Sequence, residues 1–218
     1  MTEPALRLRS ATVDFGDVRA LDGVELSVYP GELVAVTGHS GAGKTTLLSA
    51  LAGIVRLTSG TATVQGVEVV DRDQSVGLGV AIVPQGNALS ATLTAAENVL
   101  VPVLAAGTER SEAERRTAEA LAAVGLADSR GHLVDELSGG QQQRVAVARG
   151  LALATPILLA DEPTSELDHD NRELVLDLLI SRAGAGAAVV MTTNDLEAAS
   201  RADRVVALDD GRVITPAG

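Results

Sequence analysis

One stretch of eight residues, Gly38–Thr45, has the pattern G-x-x-x-x-G-K-T, which is typical of loops that bind a phosphate chain. The apolar, β-branched residues Leu33–Thr37 before it are typical of a buried strand, and Thr46–Leu51 after it are typical of a helix start. Glycines let backbone N–H groups converge on an anion, and a helix N-terminus adds roughly half a positive charge. This order predicts a phosphate-binding loop; the alternative is a glycine-rich turn that arose by chance.

Two side chains of this loop have specific expected roles. Lys44 would bridge the β- and γ-phosphates of a nucleoside triphosphate, and the Thr45 hydroxyl would hold Mg²⁺. His39 stands at one of the unspecified positions of the pattern, so it is either a solvent-facing residue or a phosphate contact. The candidate nucleotide-binding residues of this region are Gly38, His39, Ser40, Gly41, Ala42, Gly43, Lys44, Thr45 and Thr46.

A second candidate site is a pair of carboxylates, Asp161 and Glu162, directly after the apolar run Ile157–Ala160. An acid at the C-terminal end of a neighbouring strand faces the phosphate site in such folds. We expect Asp161 to bind Mg²⁺ through water and Glu162 to be the general base that orients the attacking water, a role worth roughly 10²–10⁴-fold in rate. The alternative is a solvated loop in which Asp161 caps a helix.

The segment Leu137–Arg144 reads L-S-G-G-Q-Q-Q-R. Taken alone, Ser-Gly-Gly before a helix is an N-cap and an anion-binding helix start. The full string resembles the signature motif of the ATP-binding-cassette (ABC) ATPases. The resemblance extends along nearly the whole chain: the phosphate-binding loop, Gln85 after a strand (the Q-loop), the signature, the acidic pair and Ser165–Asp168 (the D-loop) follow one another in the family's order and spacing.

This resemblance implies that ATP and Mg²⁺ are sandwiched in a head-to-tail dimer, formed with a second copy of the chain or with a paralogous ATPase. The signature of one subunit would cap the γ-phosphate that Lys44 of the other subunit holds, and Asp168 would communicate across that interface. The residues concerned in the signature are Ser138, Gly139, Gly140 and Gln141.

The resemblance also assigns roles to Gln85 and Phe15. Gln85 would contact the Mg²⁺ site and couple it to a helical insertion, which docks on an integral membrane permease. Phe15 occupies the place of the aromatic that stacks on adenine, and base–aromatic stacking is worth roughly 1–3 kcal/mol. The alternative for Phe15 is an ordinary core residue.

Further strings, Glu97–Pro102, Val124–Leu126 and Leu159–Thr164, resemble the branch that serves lipoprotein release, macrolide or peptide export and cell-division permeases. They favour a subunit that couples ATP binding and hydrolysis to a conformational change in a separate permease, by export or mechanotransmission. The segment Gly86–Leu89 departs from this branch, which has bulkier residues there.

The main departure is at the family's switch histidine, where this chain reads Thr193-Asn194-Asp195. The Asn194 amide can donate a hydrogen bond to a γ-phosphate but cannot carry a proton. We therefore expect ATP binding with slow or partner-dependent hydrolysis. The alternative is a nonhydrolysing nucleotide sensor.

The predicted fold is α/β, of the P-loop NTPase type found in ABC proteins, in one domain over residues 1–218. A mixed-sheet core with an N-terminal antiparallel β subdomain would take residues 1–85 and 136–218, and a helical insertion would take about 86–135. Leu6–Phe15 and Val24–Val28 alternate apolar and polar residues and predict antiparallel strands.

Composition limits the other functional classes. The net charge of −12 argues against a nucleic-acid partner, since binding phosphates needs clustered Lys and Arg.

No uncharged apolar run reaches the roughly 18 residues of a membrane span, and Met1–Pro4 does not resemble a signal peptide. We expect a cytoplasmic protein, peripheral on the inner face of the membrane through its permease. A soluble, non-transport ABC ATPase is the alternative, but the 52 residues between Gln85 and Ser138 leave no room for the long coiled coil of the DNA-repair type.

Overall fold

The computed structural model describes residues 3–214, which form two β-sheets and seven α-helices. The smaller sheet is antiparallel, with the strand order β2-β1-β4-β5. Its strands are β1 (Leu6–Phe15), β2 (Val18–Val28), β4 (Ser59–Val64) and β5 (Val67–Glu68).

The larger sheet has six strands in the order β10-β9-β3-β8-β7-β6. They are β3 (Leu33–Thr37), β6 (Val80–Val83), β7 (Ile157–Asp161), β8 (Ala188–Thr193), β9 (Arg204–Asp209) and β10 (Arg212–Ile214). All neighbours in this sheet pair in parallel except β10, which is antiparallel to β9. The prediction of an α/β fold with a mixed sheet and an antiparallel β subdomain is confirmed.

The helices are α1 (Lys44–Leu51), α2 (Arg72–Gly77), α3 (Ala95–Ala105), α4 (Arg110–Ala123), α5 (Gly139–Ala152), α6 (His169–Gly184) and α7 (Leu196–Ser200), with a 3₁₀ turn at Val134–Glu136. Helices α3, α4 and α5 pack against one another. Among residues 3–214, no helix combines the length and the apolar character needed to cross a bilayer.

Strands β3, β7 and β8 are buried along their whole length, as expected for central parallel strands covered on both faces. Their side chains alternate between two apolar cores because successive residues of a strand point to opposite faces. Leu33 and Ala35 pack with residues of α3–α6, whereas Val34 and Val36 pack with α1 and the antiparallel sheet.

One predicted strand boundary was wrong, and one short helix was not predicted. Strand β2 begins at Val18 and not at Val24. Register shifts in its pairing with β1 interrupt the alternation, and Ser10 and Gly23 have positive φ there. Helix α2 was missed because its six residues are mostly polar and show no apolar period; the Asp71 side chain caps it by accepting a hydrogen bond from the Gln74 N–H.

The parallel strands bring the chemical motifs to one edge of the sheet. In the register of β3 with β8, Thr37 pairs with Thr193, and in that of β7 with β8, Asp161 pairs with Thr192. Consequently the loop that follows Thr37, the acidic pair and Asn194 all leave the sheet at its carboxyl edge, where ligands bind in folds of this kind.

Candidate functional site

The loop after β3 is held in place by two glycines that touch neighbouring strands. A Cβ atom at Gly38 would lie 2.2 Å from the carbonyl oxygen of Leu208, and one at Gly43 would lie 2.5 Å from that of Ala20. Gly43 also has a φ of 104°, which a side chain would strain, and it caps the N-terminus of α1. Any larger residue at either position would push the loop away from β9 or β2.

The Lys44 side chain lies within this loop with only 8% of its surface exposed. Its Nζ donates hydrogen bonds to the carbonyl oxygens of Gly38 (2.8 Å) and His39 (3.2 Å) and to Oδ1 of Asn194 (2.7 Å). Oε1 of Glu162 lies 3.6 Å from the same nitrogen. A cation this buried needs such partners, and its position at the α1 N-terminus adds the helix dipole to its charge.

A threonine from β8 connects the two acidic residues. The Thr192 hydroxyl donates to Oδ1 of Asp161 (2.5 Å) and accepts the backbone N–H of Glu162 (2.9 Å). Gln143 Nε2 and the Ser165 hydroxyl both donate to the carbonyl oxygen of Glu162. Glu162 has a φ of 49°, which costs a non-glycine residue roughly 1–2 kcal/mol, and these contacts to its N–H and carbonyl hold its backbone in that conformation.

Asn194 contacts both Glu162 and Lys44. Its backbone N–H donates to Oε2 of Glu162 (3.3 Å), while its side-chain oxygen accepts from Lys44. The amide NH₂ is therefore the part of the Asn194 side chain left to donate to a ligand.

A cavity of about 450 Å³ opens beside these residues, a size typical of small-molecule sites. Nine of the predicted site residues line it: Ser40, Gly41, Gly43, Lys44, Thr45, Thr46, Gln85, Glu162 and Asn194. The predicted residues that do not line it are Phe15, Gly38, His39, Ala42, Ser138, Gly139, Gly140, Gln141, Asp161 and Asp168.

Five lining residues were missed by the sequence analysis: Val18, Arg19, Ala20, Asp210 and Gly211. They belong to the start of β2 and to the β9–β10 turn. Gly211 fixes this turn, because its N–H donates to the carbonyl of Ala42 (3.0 Å) and its own carbonyl accepts from the N–H of Asp22 (2.9 Å). The turn itself is recognisable in the sequence, but contacts between segments so far apart in the chain leave no local signal.

Phe15 lies at the end of β1, paired with the cavity-lining Val18, and is 53% exposed. The alternative interpretation of Phe15 as a core residue is therefore wrong. Stacking of its ring on a base stays a prediction.

The signature residues lie at the N-terminus of α5, outside the cavity. Ser138 caps the helix through a reciprocal pair of hydrogen bonds with Gln141. The D-loop packs on this first turn, since a Cβ atom at Gly140 would lie 3.2 Å from the carbonyl oxygen of Glu166. Asp168 caps α6, and hydrogen bonding from Asn171 lowers the pKa of its carboxyl group.

Residues that line the cavity, together with the neighbouring Asp161, fit a hard divalent cation. Asp161 is 2% exposed, and so buried a carboxylate favours a positively charged partner. Thr45 and Gln85 line the cavity and add hydroxyl and amide oxygens, the ligand class that Mg²⁺ prefers.

Comparison with known proteins identifies the fold's family. The model of the ABC transporter family matches residues 21–165 of this chain. The chain belongs to this family.

Among curated relatives of this ABC chain, the macrolide export ATP-binding/permease protein MacB of Hyphomonas neptunium is 39% identical over all of the chain and 35% of its own length. An uncharacterized ABC transporter ATP-binding protein of Mycobacterium tuberculosis is 46% identical over 88% of the chain and 59% of its own length. The chain thus spans about a third to three fifths of the length of these relatives.

A solved ABC cassette, MJ0796, has the same fold. Its dimeric post-hydrolysis state bound to ADP and Pi superposes with a TM-score of 0.89 at 33% identity, over 96% of this chain and 97% of that one. A second dimeric structure of the same cassette gives a TM-score of 0.90.

His39 places a titratable side chain of the loop beside two carboxylates. Nδ1 lies 2.7 Å from the Ser40 carbonyl, and Nε2 lies 3.1 Å from Oδ1 of Asp209 and 3.6 Å from Oδ1 of Asp210. The Ser40 carbonyl, followed by the two carboxylates, raises the pKa of the imidazole above its ordinary value, because acceptors on both nitrogens favour the doubly protonated ring.

Replacement of His39 by Ala should therefore have a pH-dependent effect on stability. A raised folded-state pKa contributes stability below the unfolded value of about 6.5, and the contribution is lost as pH rises through the folded value. We expect the Tm of His39→Ala to fall below that of the parent at pH about 5.5 and to equal it at about 8.5. Thermal melts check this, with His132→Ala, an exposed histidine, as control. A Tm difference that does not change with pH would contradict the assignment.

Proposed function

We propose that this chain is an ATPase subunit that couples ATP binding and hydrolysis to a conformational change in a separate integral membrane permease. The observation that carries the proposal is that the buried Lys44 ammonium, the Glu162 carboxylate and Asn194 contact one another and line one cavity. The MacB relatives support an export or mechanotransmission role, and the protein would be cytoplasmic and peripheral on the membrane.

In the proposed mechanism, ATP is the substrate. Its phosphates take the place of the loop carbonyls and Asn194 as partners of Lys44, while the backbone of residues 40–46 surrounds them. Thr45, Gln85 and Asp161 would hold Mg²⁺, which would supply positive charge to neutralise the phosphate oxygens. Glu162 orients a water molecule and accepts its proton as the water oxygen bonds to the γ-phosphorus and the bond to ADP breaks.

The second wall of the site would come from another subunit. Ser138, Gly139, Gly140 and Gln141 lie outside the cavity of their own chain, and the MJ0796 cassette is a dimer. We propose a head-to-tail dimer, with a second copy or a paralogous ATPase, in which these residues and Asp168 complete the opposing site. The helical segment of about 86–135 would dock on the permease.

A second candidate function is a nonhydrolysing nucleotide sensor. The contact that favours it is the hydrogen bond from Lys44 to Asn194. A neutral amide there can bind but cannot exchange a proton with a phosphate.

Glu162→Gln distinguishes the two candidates, because it keeps the size of the side chain and removes the base. If the chain is an ATPase, single-turnover hydrolysis of MgATP by the protein reconstituted with its permease should exceed that of Glu162→Gln by about 10²–10⁴-fold. Phosphate release indistinguishable between the two proteins rejects the ATPase and supports the sensor.

Asn194→His tests whether this position limits the rate. An imidazole reaches further than an amide and can carry a proton, so we expect kcat to rise by about 10-fold, in the lower range of acid–base contributions. The comparison is made in steady-state phosphate release, with Asn194→Ala as the matched control that lacks both donor and acceptor. An unchanged or lower kcat in Asn194→His would show that the asparagine does not slow the reaction.

A further inference from the structure

The loop that carries Gln85 has an unfavourable backbone. It leaves β6 at Pro84 and turns back through Asn87 and Ala88, which have φ values of 65° and 46°. The left-handed conformation costs a residue such as Ala88 roughly 1–2 kcal/mol, whereas an asparagine such as Asn87 adopts it more readily. Within the loop, the Asn87 N–H donates to the Pro84 carbonyl (3.3 Å) and the Ala88 N–H to the Gly86 carbonyl (2.7 Å). The strained conformation of Ala88 persists only where the surrounding structure holds it, so contacts from outside the loop are expected to contribute.

The outside contact is the guanidinium of Arg149 on α5. Nη2 donates to the carbonyl of Asn87 (2.6 Å) and Nη1 to that of Ala88 (2.7 Å). A planar guanidinium offers two such donors in a fixed geometry, which suits two successive carbonyl groups. These carbonyls therefore receive both hydrogen bonds only while the loop keeps its left-handed path.

The Asn87 side of this contact is buried, whereas Ala88 is exposed. Asn87 is 7% exposed, and in the described part of the chain its Oδ1 is buried without a hydrogen-bond partner. Burial also lowers the pKa of Arg149 from its ordinary value. Hydrogen bonds are stronger in such surroundings than in water, and leaving them unmade is costly.

Helix α5 is connected to the cavity in two further ways. Its Gln143 donates to the carbonyl of Glu162 (3.3 Å). Its Gly150 packs so closely on β6 that a Cβ atom there would lie 2.7 Å from Cγ2 of Val83. The same helix begins at the signature residues Gly139 and Gly140, so α5 connects the signature to the strand end that leads into Gln85.

We propose that Arg149 is a positioning residue that fixes the loop of residues 84–88 to α5, so that Gln85 stays at the cavity and moves with the signature helix. Arg149 itself does not line the cavity. The effect on loop order is independent of the proposed function, whereas the effect on turnover rests on it. The two parts can therefore be tested separately.

Hydrogen–deuterium exchange of the nucleotide-free chain tests loop order. Removing the two bonds in Arg149→Ala should speed exchange in the peptide covering residues 85–89 by about 10-fold, because local opening becomes easier. Arg149→Lys should lie between it and the parent, since an ammonium lacks the planar fork. The control is Arg182→Ala: this arginine is also partly buried with a lowered pKa and donates to a backbone carbonyl, that of Thr155. Thr155 lies before β7, at the opposite edge of the sheet from the cavity.

Kinetics of MgATP hydrolysis test the consequence for the site. We expect kcat to fall by about 10-fold in Arg149→Ala with KM within about two-fold of the parent, because misplacing a positioning group lowers the rate of the chemical step. We expect Arg149→Lys to recover part of the lost kcat. Arg182→Ala should keep the parent's kcat even if its Tm falls as much as that of Arg149→Ala.

Three results would overturn the proposal: exchange in residues 85–89 unchanged in Arg149→Ala, the same faster exchange in Arg182→Ala, or faster exchange with an unchanged kcat. If the parent does not hydrolyse ATP, the proposed function fails, and the exchange data alone then decide whether Arg149 holds the loop.

Discussion

The buried ammonium of Lys44 is the charge on which the arrangement of the cavity depends. A cation with so little exposure is costly unless oxygens replace its water. The protein supplies them from three segments: the loop carbonyls, the Asn194 side chain and the Glu162 carboxylate. Each of these segments follows a different parallel strand, so the contact joins three strands at one point. A phosphate chain offers the same kind of oxygen with more charge, so in the proposed function the phosphates of ATP would replace these groups as partners of Lys44.

Strand order and register bring these segments together. Strand β8 lies between β3 and β7, so Thr192 can bond to both Asp161 and Glu162, and the next residues reach Lys44. Asn194 then has two partners within one site, the Glu162 carboxylate and the Lys44 ammonium. A protonated histidine in its place would stand beside the Lys44 cation, whereas a neutral amide oxygen stabilises it. In the proposed function, the asparagine would thus favour phosphate binding over proton exchange.

The structural features predicted most accurately from the sequence are those that depend on residues adjacent in the chain. Four elements are each determined by fewer than ten consecutive residues, and each lies where its sequence pattern predicts. They are the buried strands β3 and β7, the loop of residues 38–45 and the start of α5. The bulged start of β2 and the polar helix α2 lack a period, so they were missed. The contacts of Gly211 with Ala42 and of Arg149 with Asn87 join segments separated by more than 60 residues. Such contacts depend on how the sheets and helices pack together, and no local sequence pattern predicts them.

Equilibrium binding of MgATP tests the central claim most directly, because it measures only whether the cavity lined by Lys44 binds a nucleoside triphosphate. Titration calorimetry should give saturable binding of one ATP per chain. For Lys44→Ala, affinity should fall by about 10²-fold, from the loss of charge-assisted hydrogen bonds worth roughly 1.5–3 kcal/mol. Arg56→Ala, which removes an exposed positive charge away from the cavity, should bind as the parent does. Equal affinity of the parent and a folded Lys44→Ala protein would contradict the account.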